Sequence, residues 1–393
     1  MTEIFLIIFF ISVLLFFLGS GIWVAISMIG VSTIGMMLFT SRPVGDAMAT
    51  TIWGTSSSWT LTALPLFVWM GEILFRTKLS ENLFAGLSPW MQKLPGGLIH
   101  VNVVGCALFA AISGSSAATV ATVGKMSIPE LRKRKYPEKI LLGSLAGSGT
   151  LGLLIPPSII LIIYGVTVQE SIAKLFIAGI IPGIMIALIF MSYVMIWSLI
   201  NKKSMPKYVE NFSFLEKIRK SKQLLPVIIL ISAVIGSIYT GVATATEAAS
   251  LGVVGALILS YFQKSLTIET FKQSLLGATK TSCMIAFILA GSTFLSLAMG
   301  FTGLPRNLAI WIQNMELSPY VLIFVLMIFY IILGMFLDGI SAVVLTMAII
   351  EPMIRQAGFD MIWFGIFLVI VVEMAQITPP LSLIHISDPT RPD

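Results

Sequence analysis

The sequence predicts an all-α polytopic membrane protein built as two inverted halves. Three observations carry that prediction. Of 393 residues, 57% are hydrophobic and 11% are charged, where a soluble domain carries about 25% charged. The apolar residues fall in blocks of roughly 17 to 25, the length that crosses about 30 Å of hydrocarbon as a helix. Two of the blocks are interrupted at matching places in the two halves, the sequence pattern of a secondary-transporter binding site. A mean hydropathy of +0.99 excludes an ordinary cytosolic enzyme and a disordered chain. It also excludes a nucleic-acid-binding reading, despite the net charge of +6. Transmembrane β-barrels show short alternating segments instead.

The elements follow in order. Spans 4–18 and 22–39 form a pair broken at Gly19-Ser20-Gly21, and 59–75 is next. The N-terminus has no basic n-region, so 4–18 reads as a retained span and not a signal peptide. The stretch 78–93 reads as an interfacial helix. A split hairpin over 99–128 breaks at Ser113-Gly114-Ser115-Ser116, a split helix over 140–164 breaks at Pro156-Pro157, and 172–200 is a full span. These elements make up a first half, 1–200. The linker 201–222 divides the chain. The second half, 223–380, repeats the order: a pair at 224–239 and 246–262, an interfacial stretch at 263–280, a span at 282–300 and an amphipathic stretch at 304–315. A hairpin over 320–352 then splits near Gly334–Gly339, and 361–380 ends in Pro379-Pro380. Ser116 to Pro156 is 40 positions and Asp338 to Pro379 is 41. The broken segments close on Pro129-Glu130 and Glu351-Pro352.

Charge placement supplies a topology. Residues 125–139 hold six Lys/Arg and 201–222 hold seven, so both are predicted to be cytoplasmic. Working outward from them puts the N-terminus outside. The inside loops gain Arg76, Lys78, Lys93, Lys264, Lys272 and Lys280. The outside loops hold Arg42, Lys174, Arg306 and Arg355. The scheme works only if both split segments are re-entrant, and it makes the halves inverted.

Chemistry concentrates at the breaks. Unwound backbone at membrane depth is tolerated where it lines a cavity or is buried in protein. Half-helix N-termini suit anions, and C-terminal carbonyls suit cations. A small-residue helix contact is the plain alternative for 113–116. Adjacent prolines remove two amide donors and leave carbonyls one turn earlier free. With Ser or Thr hydroxyls these make a hard-oxygen site suited to Na⁺. Gly149-Thr150-Leu151-Gly152 before Pro156-Pro157 has this form, as does Ala375-Gln376-Ile377-Thr378 before Pro379-Pro380. Asp338, deep in an apolar stretch, reads as functional; its roles would be Na⁺ attraction, proton coupling or pairing with substrate. Glu72, Glu247 and Glu373 are candidates for bridges between helices. His100 reads as an interface residue and the Trp residues as an aromatic belt. The two cysteines and two histidines supply no disulfide framework and no zinc site.

No Gly-x-x-x-x-Gly-Lys-[Ser/Thr] phosphate loop is present, so the chain does not itself hydrolyse ATP. Ser115 has no histidine base nearby, and Asp338 has no partner aspartate motif. An enzyme is therefore not expected.

Five pieces in order resemble the large membrane subunit of the tripartite ATP-independent periplasmic (TRAP) transporter family. They are Ala111-Ile112-Ser113-Gly114-Ser115-Ser116-Ala117, Leu154-Ile155-Pro156-Pro157-Ser158, Ala245-Thr246-Glu247-Ala248-Ala249, Leu333-Gly334-Met335-Phe336-Leu337-Asp338-Gly339, and Glu373 followed by Ile377-Thr378-Pro379-Pro380. The resemblance covers about 1–380. It implies a Na⁺-coupled importer of organic acids (C4-dicarboxylates, sialic or other sugar acids, keto acids) in a bacterial inner membrane, working by an elevator movement. The implied partners are a small four-helix membrane subunit and an extracytoplasmic solute-binding protein. One Na⁺ would be held by Ser113, Gly152, Ile155 and Pro157, and a second by Gly334, Ala375, Thr378 and Leu381. Ser115, Ser116 and Asp338 would line the substrate region. The tail 381–393 departs from the family pattern of a glycine, an asparagine and a further span, and is expected to be a truncated or altered end. The alternatives are an elevator carrier, Na⁺ or H⁺ coupled, without a binding protein, and an intramembrane enzyme using Asp338 or Ser115.

Overall fold

A computed structural model describes residues 3–77, 79–206, 212–222, 224–307, 310, 318–335 and 337–378. Among these residues the chain is helix and turn. The helices are α1 (Glu3–Gly19), α2 (Val24–Phe39), α3 (Val44–Ser56), α4 (Ala63–Phe75), α5 (Leu79–Met91), α6 (Ile99–Ser113), α7 (Ser116–Lys133), α8 (Glu138–Gly149), α9 (Ile159–Thr167) and α10 (Ile172–Ile200). They continue as α11 (Phe214–Ser221), α12 (Leu225–Tyr239), α13 (Ala245–Phe262), α14 (Ile268–Thr302), α15 (Pro319–Gly334), α16 (Gly339–Gln356) and α17 (Met361–Ile377). Short 3₁₀ turns lie at Trp59–Thr62, Thr150–Leu153 and Lys202–Ser204. Four described helices, α10, α13, α14 and α16, are long and apolar enough to cross a membrane.

Both expected breaks are present. α6 ends where Gly114 turns left-handed at φ +58°, and Ser115 is the extended N-cap of α7. Glycine suits that position because a Cβ there is strained. The chain then folds back: a Cβ added to Gly105 would lie 3.7 Å from Val123 Cγ1. α15 and α16 do the same, with the Tyr330 and Thr346 hydroxyls 2.6 Å apart. Pro129 and Pro352 lie inside α7 and α16 and do not end them.

The helices form two groups, each drawn from both halves of the chain. α2, α3 and α4 pack with α13 and α14, with α1 on α2 and α12 on α13. Close approach is permitted by small residues; a Cβ on Gly291 of α14 would lie 2.8 Å from the Ala25 carbonyl oxygen of α2. The second group joins α6 to α10 with α15 to α17.

Several expectations need correction. The hydropathy blocks missed α3, which buries none of its residues and meets the 59–75 segment at a 52° bend. The segments 263–280 and 282–300 are not separate. α14 runs unbroken for 35 residues, from the Thr267 cap to a left-handed Gly303, about 50 Å. His100 is fully buried, its Nε2 2.7 Å from the Pro95 carbonyl oxygen. Glu247 bridges no helices. It is exposed and closes a capping box, accepting the Thr244 N–H at 2.8 Å. Most of 304–315, all of 379–380 and the tail 381–393 lie outside the described residues.

Loops assigned to one side by charge meet one another. Arg76 donates to Gln273 Oε1 at 3.0 Å, Trp90 to Ser221 Oγ at 2.7 Å, and the Leu98 N–H to the Tyr136 hydroxyl at 3.1 Å. On the other face Arg355 donates to the Val168 carbonyl at 2.9 Å, and the Arg42 guanidinium lies 5.5 Å from the Phe301 ring centre.

Candidate functional site

The first break is a knot of short polar bonds. Ser113 Oγ lies 2.8 Å from Thr119 Oγ1, and Thr119 Oγ1 donates to the Ser115 carbonyl at 2.8 Å. Ser115 Oγ caps α7 by accepting the Ala118 N–H at 3.5 Å. Ser116 is buried and its Oγ has no hydrogen-bond partner.

The split helix closes on this knot. α8 tightens into the 3₁₀ turn, passes a cis Pro156-Pro157 bond, and restarts at α9 with Ser158 as N-cap. Pro156 and Pro157 have no N–H to offer the carbonyls four residues back. The Ser158 hydroxyl takes the Leu153 carbonyl in their place, so Gly152 loses its helical donor. A Cβ on Gly152 would lie 2.9 Å from the Ser115 carbonyl oxygen, and one on Gly114 would lie 3.0 Å from the Pro157 carbonyl oxygen. Ser113, Ser115, Ser116, Gly152 and Pro157 are thus brought together. The Ile155 side chain instead packs against Gly183 of α10.

At the second break Gly334 faces Ala375, where an added Cβ would lie 2.5 Å from the Ala375 Cβ. Thr378 turns extended after α17; its N–H donates to the Ala375 carbonyl at 3.0 Å and its hydroxyl to the Met374 carbonyl at 2.9 Å. Carbonyl oxygens have two lone pairs, so Ala375 retains one. Leu381 lies outside the described residues. Asp338 is exposed and serves as the N-cap of α16, accepting the Ser341 N–H at 3.1 Å.

The two breaks meet at the start of α9. An added Cβ on Gly114 would lie 3.1 Å from Ile159 Cγ1, and one on Gly339 would lie 3.5 Å from Ile160 Cδ1. A cavity of about 340 Å³ opens beside them, lined by Ser113, Gly114 and Ser115, by Glu72 of α4, Thr281 of α14 and Ile340 of α16. Its α4 wall touches the tip directly: a Cβ on Gly71 would lie 2.9 Å from the Ile112 carbonyl oxygen. Glu72 pairs with Arg76 at 3.1 Å on its own helix, and Arg76 carries the link to α14. A second cavity of about 760 Å³, lined by Thr55, Ser58, Thr60, Thr167, Glu170 and Thr246 among others, opens at the face that holds Arg355 and Val168. Sequence reasoning missed Thr119 and Thr281. Thr119 was traceable, since it stands four residues after Ser115 and so faces the same side of α7.

Chemically, the arrangement offers oxygens without hydrogens beside helix N-termini: a hard-cation donor set next to a place suited to an anion.

Residues 10–385 match the family described as "Tripartite ATP-independent periplasmic transporter, DctM component". The C4-dicarboxylate TRAP transporter large permease protein DctM of Pseudomonas aeruginosa is 32% identical over 349 residues, covering 88% of this chain and 81% of that one. The sialic acid TRAP transporter large permease protein SiaM of Vibrio cholerae is 30% identical over 369 residues, covering 93% and 85%. In fold, the chain resembles the YdaH transporter of Alcanivorax borkumensis, with a TM-score of 0.58, 11% identity and coverage of 86% and 79%. The chain therefore belongs to the DctM family, the large permease subunits of TRAP transporters.

Proposed function

We propose that the chain is the membrane-crossing subunit of a Na⁺-coupled secondary importer of organic acids, working by an elevator movement. The observation that carries this reading is the meeting of both helix breaks at Ile159 and Ile160, beside a cavity with hydroxyls and a helix N-terminus on its wall. The substrate carboxylate sits at the start of α7, where Ser115 and Ser116 donate and the helix dipole favours an anion. Na⁺ supplies positive charge that draws the anion in and couples its movement to the ion gradient. Ser113, Gly152 and Pro157 furnish oxygens at one break; Gly334, Ala375 and Thr378 furnish them at the other. The paired cavities, about 340 and 760 Å³ on opposite faces, lie along the seam between the two helix groups. That seam is the surface along which the second group slides, with both hairpins re-entrant. The basic loops 125–139 and 201–222 face the cytoplasm of a bacterial inner membrane, and the N-terminus faces outward. The partners are a small four-helix membrane subunit and an extracytoplasmic binding protein, which sets substrate choice among C4-dicarboxylates, sugar acids and keto acids.

Reconstituted vesicles test the reading. Uptake is expected to require an inward Na⁺ gradient, the small subunit and the loaded binding protein. Uptake without the binding protein would favour a stand-alone carrier. Substrate turnover with no accumulation would favour an enzyme and sink the proposal.

A further inference from the structure

The linker between the two halves of the chain contains a helix that is apolar on one side and basic around it. α11 has eight residues, Phe-Leu-Glu-Lys-Ile-Arg-Lys-Ser, a length of about 12 Å. Phe214 and Ile218 stand at i and i+4, and Leu215 and Ile218 at i and i+3, so the three share a face. Arg219 stands four residues after Leu215 and Lys217 three after Phe214, so a basic residue borders that face on each side. All three apolar residues are exposed, Leu215 at 77%, Phe214 at 68% and Ile218 at 39%.

α11 is held in place by α5, the helix read from sequence as interfacial. The Trp90 indole N–H donates to Ser221 Oγ at 2.7 Å, and the Phe214 ring meets the Trp90 ring edge-on at 6.2 Å. The Lys217 ammonium lies 5.2 Å from the Trp90 ring centre. A Cβ on Gly86 of α5 would lie 2.7 Å from Leu224 Cγ, so the chain entering α12 rests on α5 as well. α12 carries no charged residue, meets α11 at a 57° bend, and exposes Leu225 and Ile229. Exposed apolar surface therefore continues from an apolar helix of a membrane protein round the bend onto α11.

The charges beside that surface are not neutralised by the protein. Glu216 is the one acid in α11, and it closes the helix's own capping box by accepting the Ser213 N–H at 2.8 Å. Among the described residues Lys217, Arg219, Lys220 and Lys222 enter no ion pair. Water suits the four cations and leaves the apolar face exposed. A neutral bilayer covers the face and leaves the cations unmatched. An anionic bilayer surface answers both, with acyl chains against the face and phosphates against the charges.

We propose that α11, braced on Trp90 of α5, is a docking surface for anionic phospholipid. Phe214, Leu215 and Ile218 enter the boundary of the acyl chains, and Arg219, Lys220 and Lys222 hold headgroup phosphates. The inference needs α11 to lie at a membrane boundary, which its junction with α12 provides, and does not need the transport reading.

The test uses the full chain purified in detergent. Phosphatidylglycerol or phosphatidylcholine of the same acyl chains is added, and bound lipid is counted by native mass spectrometry. Wild type is expected to bind phosphatidylglycerol at least about tenfold more tightly; equal affinities would overturn the inference without any variant. Each Lys or Arg near an anionic surface contributes about fivefold, so Arg219→Gln/Lys220→Gln/Lys222→Gln is expected to lower that affinity at least about tenfold. Lys133→Gln/Lys135→Gln/Lys139→Gln removes the same charge from exposed positions in 125–139, and is expected to leave the affinity unchanged. An equal loss in both triple variants would mean that net charge alone acts, and would overturn the site. Leu215→Ser/Ile218→Ser is expected to weaken phosphatidylglycerol binding too; wild-type affinity there would take the apolar face out of the lipid and overturn the docking. Competition by millimolar inorganic phosphate would mark a free-anion site. Loss of the lipid preference on adding the small membrane subunit would give the face to a protein. Either result would overturn the inference.

Discussion

At the first break, Ser113, Ser115 and Thr119 hydrogen-bond to one another within seven residues, and Gly152 and Pro157 close over them. At the second break the described tip is tied by Asp338 to the Ser341 N–H, and two oxygens behind it have no partner. The first tip is therefore tied by its own hydroxyls, with the Ser116 Oγ left without a partner. Near the second break, the Glu373 and Gln376 Oε1 atoms have no hydrogen-bond partner. On the proposed reading, the first break is a preformed oxygen cage, and the second is completed only when it is occupied.

The largest expected effect is Gly152→Val. A branched side chain would drive into the Ser115 backbone, where even a Cβ comes within 2.9 Å. Overpacking of this kind costs about 1–3 kcal/mol, and vesicle uptake should be lost with a lower unfolding temperature. Next comes Asp338→Asn. Asparagine caps a helix about as well as aspartate, so stability should hold while Na⁺-driven uptake falls sharply; wild-type uptake would remove Asp338 from the site. Thr378→Ala removes the hydroxyl that donates to the Met374 carbonyl, and is expected to cut Na⁺-driven uptake while the protein stays in the membrane. The smallest effect is expected for Thr119→Val, which deletes one hydroxyl from the first tip. A loss of about 1 kcal/mol of stability is anticipated, with a modest drop in Na⁺ affinity on titration. If Thr119→Val abolished Na⁺ binding while Gly152→Val spared it, the preformed-cage account of the first tip would be wrong.

The break positions were legible because glycine, serine and proline act locally. Gly114 turns left-handed and Ser115 and Asp338 cap their helices for reasons contained within four residues of chain. Pro156 removes a donor wherever it is placed. Other features were not legible. α3 lacks a long apolar block, so hydropathy passed over it. Thr119 looked like one threonine among several in α7, and its role follows from its neighbours in space. Glu247 stood out as a carboxylate at the head of a span, yet it only completes a cap.

By itself the sequence determined the class of protein and the place of the interruptions at 113–116, 156–157 and 334–339. Those properties follow from composition and from interactions a few residues long. The tertiary structure decided which interruptions meet. Consecutive residues of α9 touch both tips, and Glu72 of one helix group faces Ser113 of the other across a cavity. It also decided that Glu373 is buried, with no hydrogen-bond partner for its Oε1. Such facts depend on contacts between residues tens to hundreds of positions apart, set by how small residues let helices approach, and no local pattern encodes them.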